Sequence, residues 1–97
     1  MNEAFALKIL KRLVEEDKFI IINRRAQHAH PVSNEVAKII VKQLSLEDFI
    51  GKSEDRDRPG EFLWIYKTDV GIKYYLKCKF SSELDMVKFI SFHIAVY

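Results

Sequence analysis

The sequence predicts an α+β fold in which two N-terminal helices pack on a small, mainly antiparallel β-sheet. Apolar residues recur at helical spacing through the first half of the 97-residue chain and alternate with polar ones in the second. The change of period falls at a charged stretch closed by Pro59-Gly60. Helices first and strands last place the helices against one face of one sheet.

From Glu3 to about Glu16, the residues Ala6, Leu7, Leu10, Leu13 and Val14 share one helical face. Asn2 suits the N-cap and Glu3 the first turn, where free N–H groups favour an acceptor and a negative charge. Phe19-Ile20-Ile21-Ile22 is short, β-branched and bounded by charges, the pattern of a buried strand. Residues 23–30 form a polar connection. Pro31 and Ser33 then open a second helix, with Val36, Ile39, Ile40 and Leu44 on one face. Ser45-Leu46-Glu47-Asp48 has the capping-box spacing and starts one short helical turn. Gly51 to Gly60 alternates in charge and predicts an irregular surface loop.

Beyond that loop three strands form a meander. Phe62, Trp64 and Tyr66 alternate with Leu63, Ile65 and Lys67, and Asp69-Val70-Gly71 supplies a turn. Ile72, Tyr74, Leu76, Cys78 and Phe80 then point one way, and Lys73, Tyr75, Lys77 and Lys79 the other. After Ser81-Ser82-Glu83 the last strand covers residues 87–94. Alternation puts Val87, Phe89, Ser91 and His93 on one of its faces and Lys88, Ile90, Phe92 and Ile94 on the other. A crossover through the second helix is an alternative to a simple meander, so strand order stays open.

Composition narrows the class. The length is that of a single domain, 1–97, and 48% hydrophobic with 31% charged residues excludes a disordered chain. No run approaches the ~20 apolar residues that span a bilayer, and no signal-peptide pattern is present, so neither membrane insertion nor export is expected. Cys78 is the one cysteine, which rules out an intramolecular disulfide and a multi-thiolate zinc site. A reducing, cytoplasmic setting fits it. The net charge of +2 does not by itself argue for nucleic acid. Its distribution is uneven: Lys8, Lys11 and Arg12 cluster early, Arg24 and Arg25 follow, and acids collect at 15–17 and 47–57.

The strand from Ile72 to Phe80 carries the candidate chemistry. Lys73, Lys77 and Lys79 on one face repel one another unless they are solvated or meet an anion such as an RNA backbone. Tyr75 among them offers a ring for stacking and a phenolic proton. The alternative is a solvated face that discourages aggregation. If the last strand returns antiparallel, facing residues sum to about 165–168, which brings His93 towards Tyr75 or Lys73. Histidine suits general acid–base work, although a polar surface residue is the plainer reading. Arg24 and Arg25 suit forked contacts to phosphate, with a solvated loop as the alternative. His28 and His30 lie two apart without a third ligand at suitable spacing, so no metal or other cofactor is expected.

From Leu44 onward the chain resembles the MqsR family of toxin–antitoxin ribonucleases, which share the RelE-like fold. The resemblance is carried by Leu44-Ser45-Leu46-Glu47-Asp48-Phe49, Gly51-Lys52, Asp55-Arg56-Asp57-Arg58, Leu63-Trp64-Ile65-Tyr66, Gly71, Tyr75-Leu76-Lys77 and Ile90-Ser91-Phe92-His93. It implies metal-free cleavage of messenger RNA by attack of a ribose 2′-hydroxyl on the adjacent phosphorus, and a protein antitoxin as partner. By motif position it implies Tyr75 and His93 for proton transfer; taken with the charge pattern above, the expected catalytic set is Tyr75, His93 and Lys77, with Lys52, Arg24, Arg25, Lys73 and Lys79 along the substrate path. Lys52 stands one position beyond the loop lysine of a well-known member, and Ile65 replaces a polar residue there. Two other readings remain: a non-catalytic protein of the same fold that binds a protein or nucleic acid, and a phage-borne inhibitor or regulator contacting through the acidic 53–57 segment.

Overall fold

The structure, a computed structural model, describes residues 1–22 and 30–95. Helix α1 spans Glu3–Glu15, and Asn2 starts it by accepting a hydrogen bond from the Phe5 N–H at 2.8 Å. A cap of this kind contributes about 1 kcal/mol, because it satisfies one of the free N–H groups of the first turn. The face of α1 that is buried comprises Ala6, Leu7, Ile9, Leu10, Leu13 and Val14. Asp17, in the left-handed region at φ +61°, turns the chain into strand β1, Phe19–Ile21. Burial there is one-sided. Phe19 is in the core while Ile20 and Ile22 are exposed, because successive strand residues face opposite ways and the helices cover one face only.

Strand β2 is the pair His30–Pro31, so Pro31 belongs to the sheet and Ser33 alone opens the next helix. Helix α2 covers Asn34–Gln43, with Ser33 Oγ accepting from the Val36 N–H at 3.2 Å. It buries Ala37, Ile40 and Val41, followed by Leu44 just past its end. Ile39, expected on the buried face, is 67% exposed. The stripe that meets the core is the set spaced 37, 40/41, 44, and a residue at 39 lies off it. The capping-box segment forms a 3-10 turn over Leu46–Asp48, with Asp48 Oδ2 accepting from the Ser45 N–H at 2.8 Å.

Four strands follow: β3 Phe49–Glu54, β4 Phe62–Asp69, β5 Lys73–Phe80 and β6 Val87–Ile94. The segment from Gly51 is therefore not wholly irregular. Its first part pairs antiparallel with β4, which makes the meander one strand longer than expected. Exposure on both sides hides that strand from a period-2 search, since Lys52, Ser53 and Glu54 all face water. Only residues 55–61 connect β3 to β4. Gly71, at φ +96°, closes the β4–β5 hairpin with its N–H donating to Asp69 Oδ1 at 3.0 Å.

The sheet has the order β1-β6-β5-β4-β3, with β2 pairing on β6 as well. It is mixed, because β1 runs parallel to β6 from Phe19↔Val87 to Ile21↔Phe89. The two helices are not both N-terminal to it, since β1 and β2 lie between them. Helix α2 carries the chain from β2, on one border, to β3, on the other. One helix-side core joins Leu10, Leu13, Ile40 and Val41 to Trp64, Leu76, Phe89 and Phe92 from the sheet. The Phe89 and Phe92 rings lie 4.9 Å apart, fully buried, and truncating either to alanine costs roughly 3–5 kcal/mol.

A bulge in β6 decides which residues reach that core. Lys77 pairs with Ser91 but Cys78 pairs with Phe89, so Ile90 is one residue more than β5 can match. Strict alternation had grouped Phe89 with Ser91 and His93. The extra residue shifts the phase instead. Val87, Phe89 and Phe92 all enter the helix-side core, and Ser91 and His93 join Tyr75 and Lys77 on the opposite face.

Candidate active site on the sheet face opposite the helices

Directly paired residues share a face, so the register assembles the site row by row. Lys67, Tyr75 and His93 make one row across β4, β5 and β6, and Ile65, Lys77 and Ser91 make the next. The facing pair Tyr75↔His93 sums to 168, at the upper end of the expected range. Their rings stack with centroids 5.5 Å apart and planes inclined by 23°. Lys77 Nζ stands 6.0 Å from the Tyr75 ring centroid, within reach of a cation–π contact. Lys73, exposed at the start of β5, lies on the same face one pleat beyond Tyr75.

The second contact of His93 sets its proton arrangement. His93 Nδ1 lies 3.1 Å from the backbone oxygen of Ile94. A carbonyl oxygen only accepts, so Nδ1 carries the hydrogen and the neutral ring keeps its lone pair on Nε2. The group thus offers a base at Nε2, a phenolic O–H on Tyr75 and an ammonium on Lys77. That is the equipment of proton transfer beside an anion.

Other expected site residues are placed elsewhere. Lys79 was expected in an open row of lysines. It is 8% exposed, with Nζ 3.0 Å from Asp55 Oδ2 and 2.6 Å from Glu61 Oε1, so its charge is engaged within the protein. The hydrogen bond from Lys79 holds the Glu61 carboxyl below its ordinary range. Lys52 pairs with Trp64 and sets its ammonium 4.8 Å from the Phe62 ring centroid and 4.9 Å from that of Trp64. Trp64 belongs to the helix-side core, so Lys52 is on the face opposite Tyr75 and His93. Lys11 and Arg12 also serve the helix side, donating to the carbonyls of Lys42 at 3.0 Å and Leu84 at 3.1 Å. Arg24, Arg25 and His28 lie outside the described residues, and of His30 only the backbone is described. Tyr66 and Cys78 face the core as well, and burial pushes both pKa values up.

Three residues beside this group were not among the site residues expected from the sequence: Lys67, Ser91 and Ile90. Alternation in β4 marks Lys67 as an outer residue, but only the register sets it against Tyr75. Ile90 and Ser91 both line a cleft of about 510 Å³ beside Lys77, bounded on its other side by Asp55 and Arg56. No sequence period points to it, because a bulge breaks the period that would be read.

The class so defined is a small α+β protein with its helices on one sheet face and a tyrosine–histidine–lysine group on the other. The chain belongs to the family described as motility quorum-sensing regulator, toxin of MqsA, whose family model matches residues 3–94. Membership makes it a toxin of a toxin–antitoxin system and implies an antitoxin partner of the MqsA kind. No curated protein and no solved structure matches the chain. No helix of the described residues is long and apolar enough to cross a membrane.

Proposed function

We propose that the chain is a metal-independent endoribonuclease that cuts messenger RNA in the cytoplasm and is restrained by its antitoxin. The observation that carries this reading is the stacked Tyr75–His93 pair with Lys77 beside it on the face opposite the helices. His93 Nε2 takes the proton of a ribose 2′-hydroxyl, and the freed oxygen attacks the adjacent phosphorus. Lys77 stabilises the charge that gathers on the pentavalent phosphate. The bond to the 5′-oxygen breaks, the Tyr75 phenol supplies its proton, and the products are a 2′,3′-cyclic phosphate and a free 5′-hydroxyl. Lys73, at the edge of the face, meets a flanking phosphate.

Incubating the purified chain with a labelled messenger RNA, in chelator, tests this directly. Wild type gives cyclic-phosphate ends, and Tyr75→Phe and His93→Ala each lose a factor of about 10²–10⁴ in rate, the range of general acid–base catalysis. Cleavage unchanged in the double variant removes the assignment. Binding without cleavage by the wild type would instead favour the non-catalytic reading, for which Ile65 opposite Lys77 is the structural hint.

A further inference from the structure

The connection between β3 and β4 is built more firmly than its sequence of charges requires. Asp55 is 2% exposed, its N–H donates to the Glu61 carbonyl at 2.8 Å, and its Oδ1 accepts from the Asp57 N–H at 3.0 Å. The Arg58 N–H donates to the Asp55 carbonyl at 3.1 Å, and the Gly60 N–H to Glu54 Oε2 at 3.0 Å. Lys79, reaching from β5, binds the carboxylates at both ends of the loop, Asp55 and Glu61. The loop backbone is held in one shape, and it keeps Arg56 exposed at the wall of the cleft described above.

That cleft adjoins the Tyr75–His93 group. Lys77 and Ser91 line it, and each stands two residues along its strand from Tyr75 or His93, a step of about 6.6 Å. Leu63 and Ile90, 5% and 4% exposed, form an apolar floor that lies outside the helix-side core. Lys77 and Arg56 stand on two walls over a floor able to take the flat face of a base, while the Glu54 and Asp55 carboxylates that also line the cleft are engaged by the Gly60 N–H and by Lys79. Lys77 and Ser91 thus join the cleft to the Tyr75–His93 group.

We propose that this cleft is a nucleotide subsite. Arg56 binds the phosphate next to the reacting one, the unpaired base rests over Leu63 and Ile90, and Lys79 is a positioning residue that holds the Arg56 loop through Asp55 and Glu61. The proposal rests on the ribonuclease reading of Tyr75 and His93. An A-form duplex keeps its bases stacked and cannot offer one to such a cleft, so the subsite selects single-stranded RNA.

Cleavage and binding of a short single-stranded oligoribonucleotide test it, with wild type, Arg56→Ala, Arg56→Lys and Arg58→Ala. Arg58 is an exposed arginine of the same loop that lines a different cleft, and so controls for net charge. Arg56→Ala raises KM about tenfold with kcat within about twofold, the loss of one charge-assisted hydrogen bond. It also lowers the slope of log affinity against log salt by roughly 0.7, as expected for one lost contact to a single strand. Arg56→Lys recovers part of this, and Arg58→Ala stays near wild type. Glu61→Gln loosens the anchor without leaving a buried charge alone. It raises KM in the Arg56→Ala background by less than in the wild type, a coupling that a merely structural role would not produce. If wild type cuts the RNA and Arg56→Ala matches it, or Arg58→Ala is equally affected, the subsite is refuted and the ribonuclease reading stands. If wild type binds without cutting and Arg56→Ala weakens binding, the cleft still holds single-stranded RNA, but the ribonuclease reading fails and with it the placing of Arg56 beside a reacting phosphate. A wild type that neither binds nor cuts removes both.

Discussion

Replacing Lys79 by methionine keeps most of the buried stem and removes the ammonium that faces Asp55 and Glu61. Its two partners respond differently. The Glu61 side chain is 53% exposed and can turn to water, whereas that of Asp55 is 2% exposed and cannot. The substitution therefore takes a counter-charge away from a buried carboxylate, a change that costs up to roughly 3–5 kcal/mol. Against the ~5–15 kcal/mol by which domains of this kind are stable, that is a large fraction. Urea unfolding followed by the fluorescence of Trp64, the single tryptophan and 4% exposed, reads it out. With a slope near 2 kcal/mol per molar urea, the midpoint falls by up to about 2 M. Asp55→Asn costs less, because Lys79 keeps Glu61, and Lys79→Met with Asp55→Asn recovers much of the loss. A Lys79→Met midpoint within about 0.5 M of wild type, or an Asp55→Asn variant weaker than Lys79→Met, would refute this account of the pair.

Tyr66 is fully buried with a hydroxyl that has no hydrogen-bond partner among the described residues, so Tyr66→Phe is expected to match or exceed wild-type stability by up to about 1 kcal/mol; a clear drop in the urea midpoint contradicts it. Cys78 is 0% exposed and burial disfavours its thiolate, so at pH 8 the native chain reacts with iodoacetamide roughly a thousandfold more slowly than the urea-unfolded chain, and equal rates would show that β5 opens freely. The folded Glu61 carboxyl titrates below its ordinary 4.5, so its contribution is complete above that pH and is lost as pH falls through the lower folded value. The stability gap between wild type and Glu61→Gln should be flat from pH 5 to 8 and close on further acidification; a gap that widens in acid has the wrong sign.

Much of the fold was legible in one dimension. Asn2 and Ser33 cap the helices they precede, and the apolar stripe of α1 is the buried one. The alternation of β4 and β5 separates Trp64, Tyr66, Leu76 and Cys78 from Ile65, Tyr75 and Lys77. These features follow from local geometry, the 3.6-residue turn and the two-residue pleat, which a sequence displays directly. β3 was not legible, because an edge strand exposed on both sides has no reason to alternate. Ile39 was misplaced because its helix buries a narrow stripe, and the partner surface decides where that stripe runs.

The candidate site divides along the same line. Local pattern alone put Tyr75 and Lys77 on the face away from the helices, and family resemblance marked His93. Whether His93 reached them depended on a register and on one extra residue, Ile90, that turns Ser91 and His93 to the Tyr75 face while Phe89 and Phe92 stay in the core. The fates of Lys79 and Lys52 were tertiary too. One has two carboxylates from a distant loop around it, and the other stands across from Trp64 on the wrong side of the sheet. A sequence determines which way a side chain points relative to its neighbours along the strand. What it meets there is determined by strands and loops that are distant along the chain, and pairing, bulges and buried charge settle that only when the chain is folded.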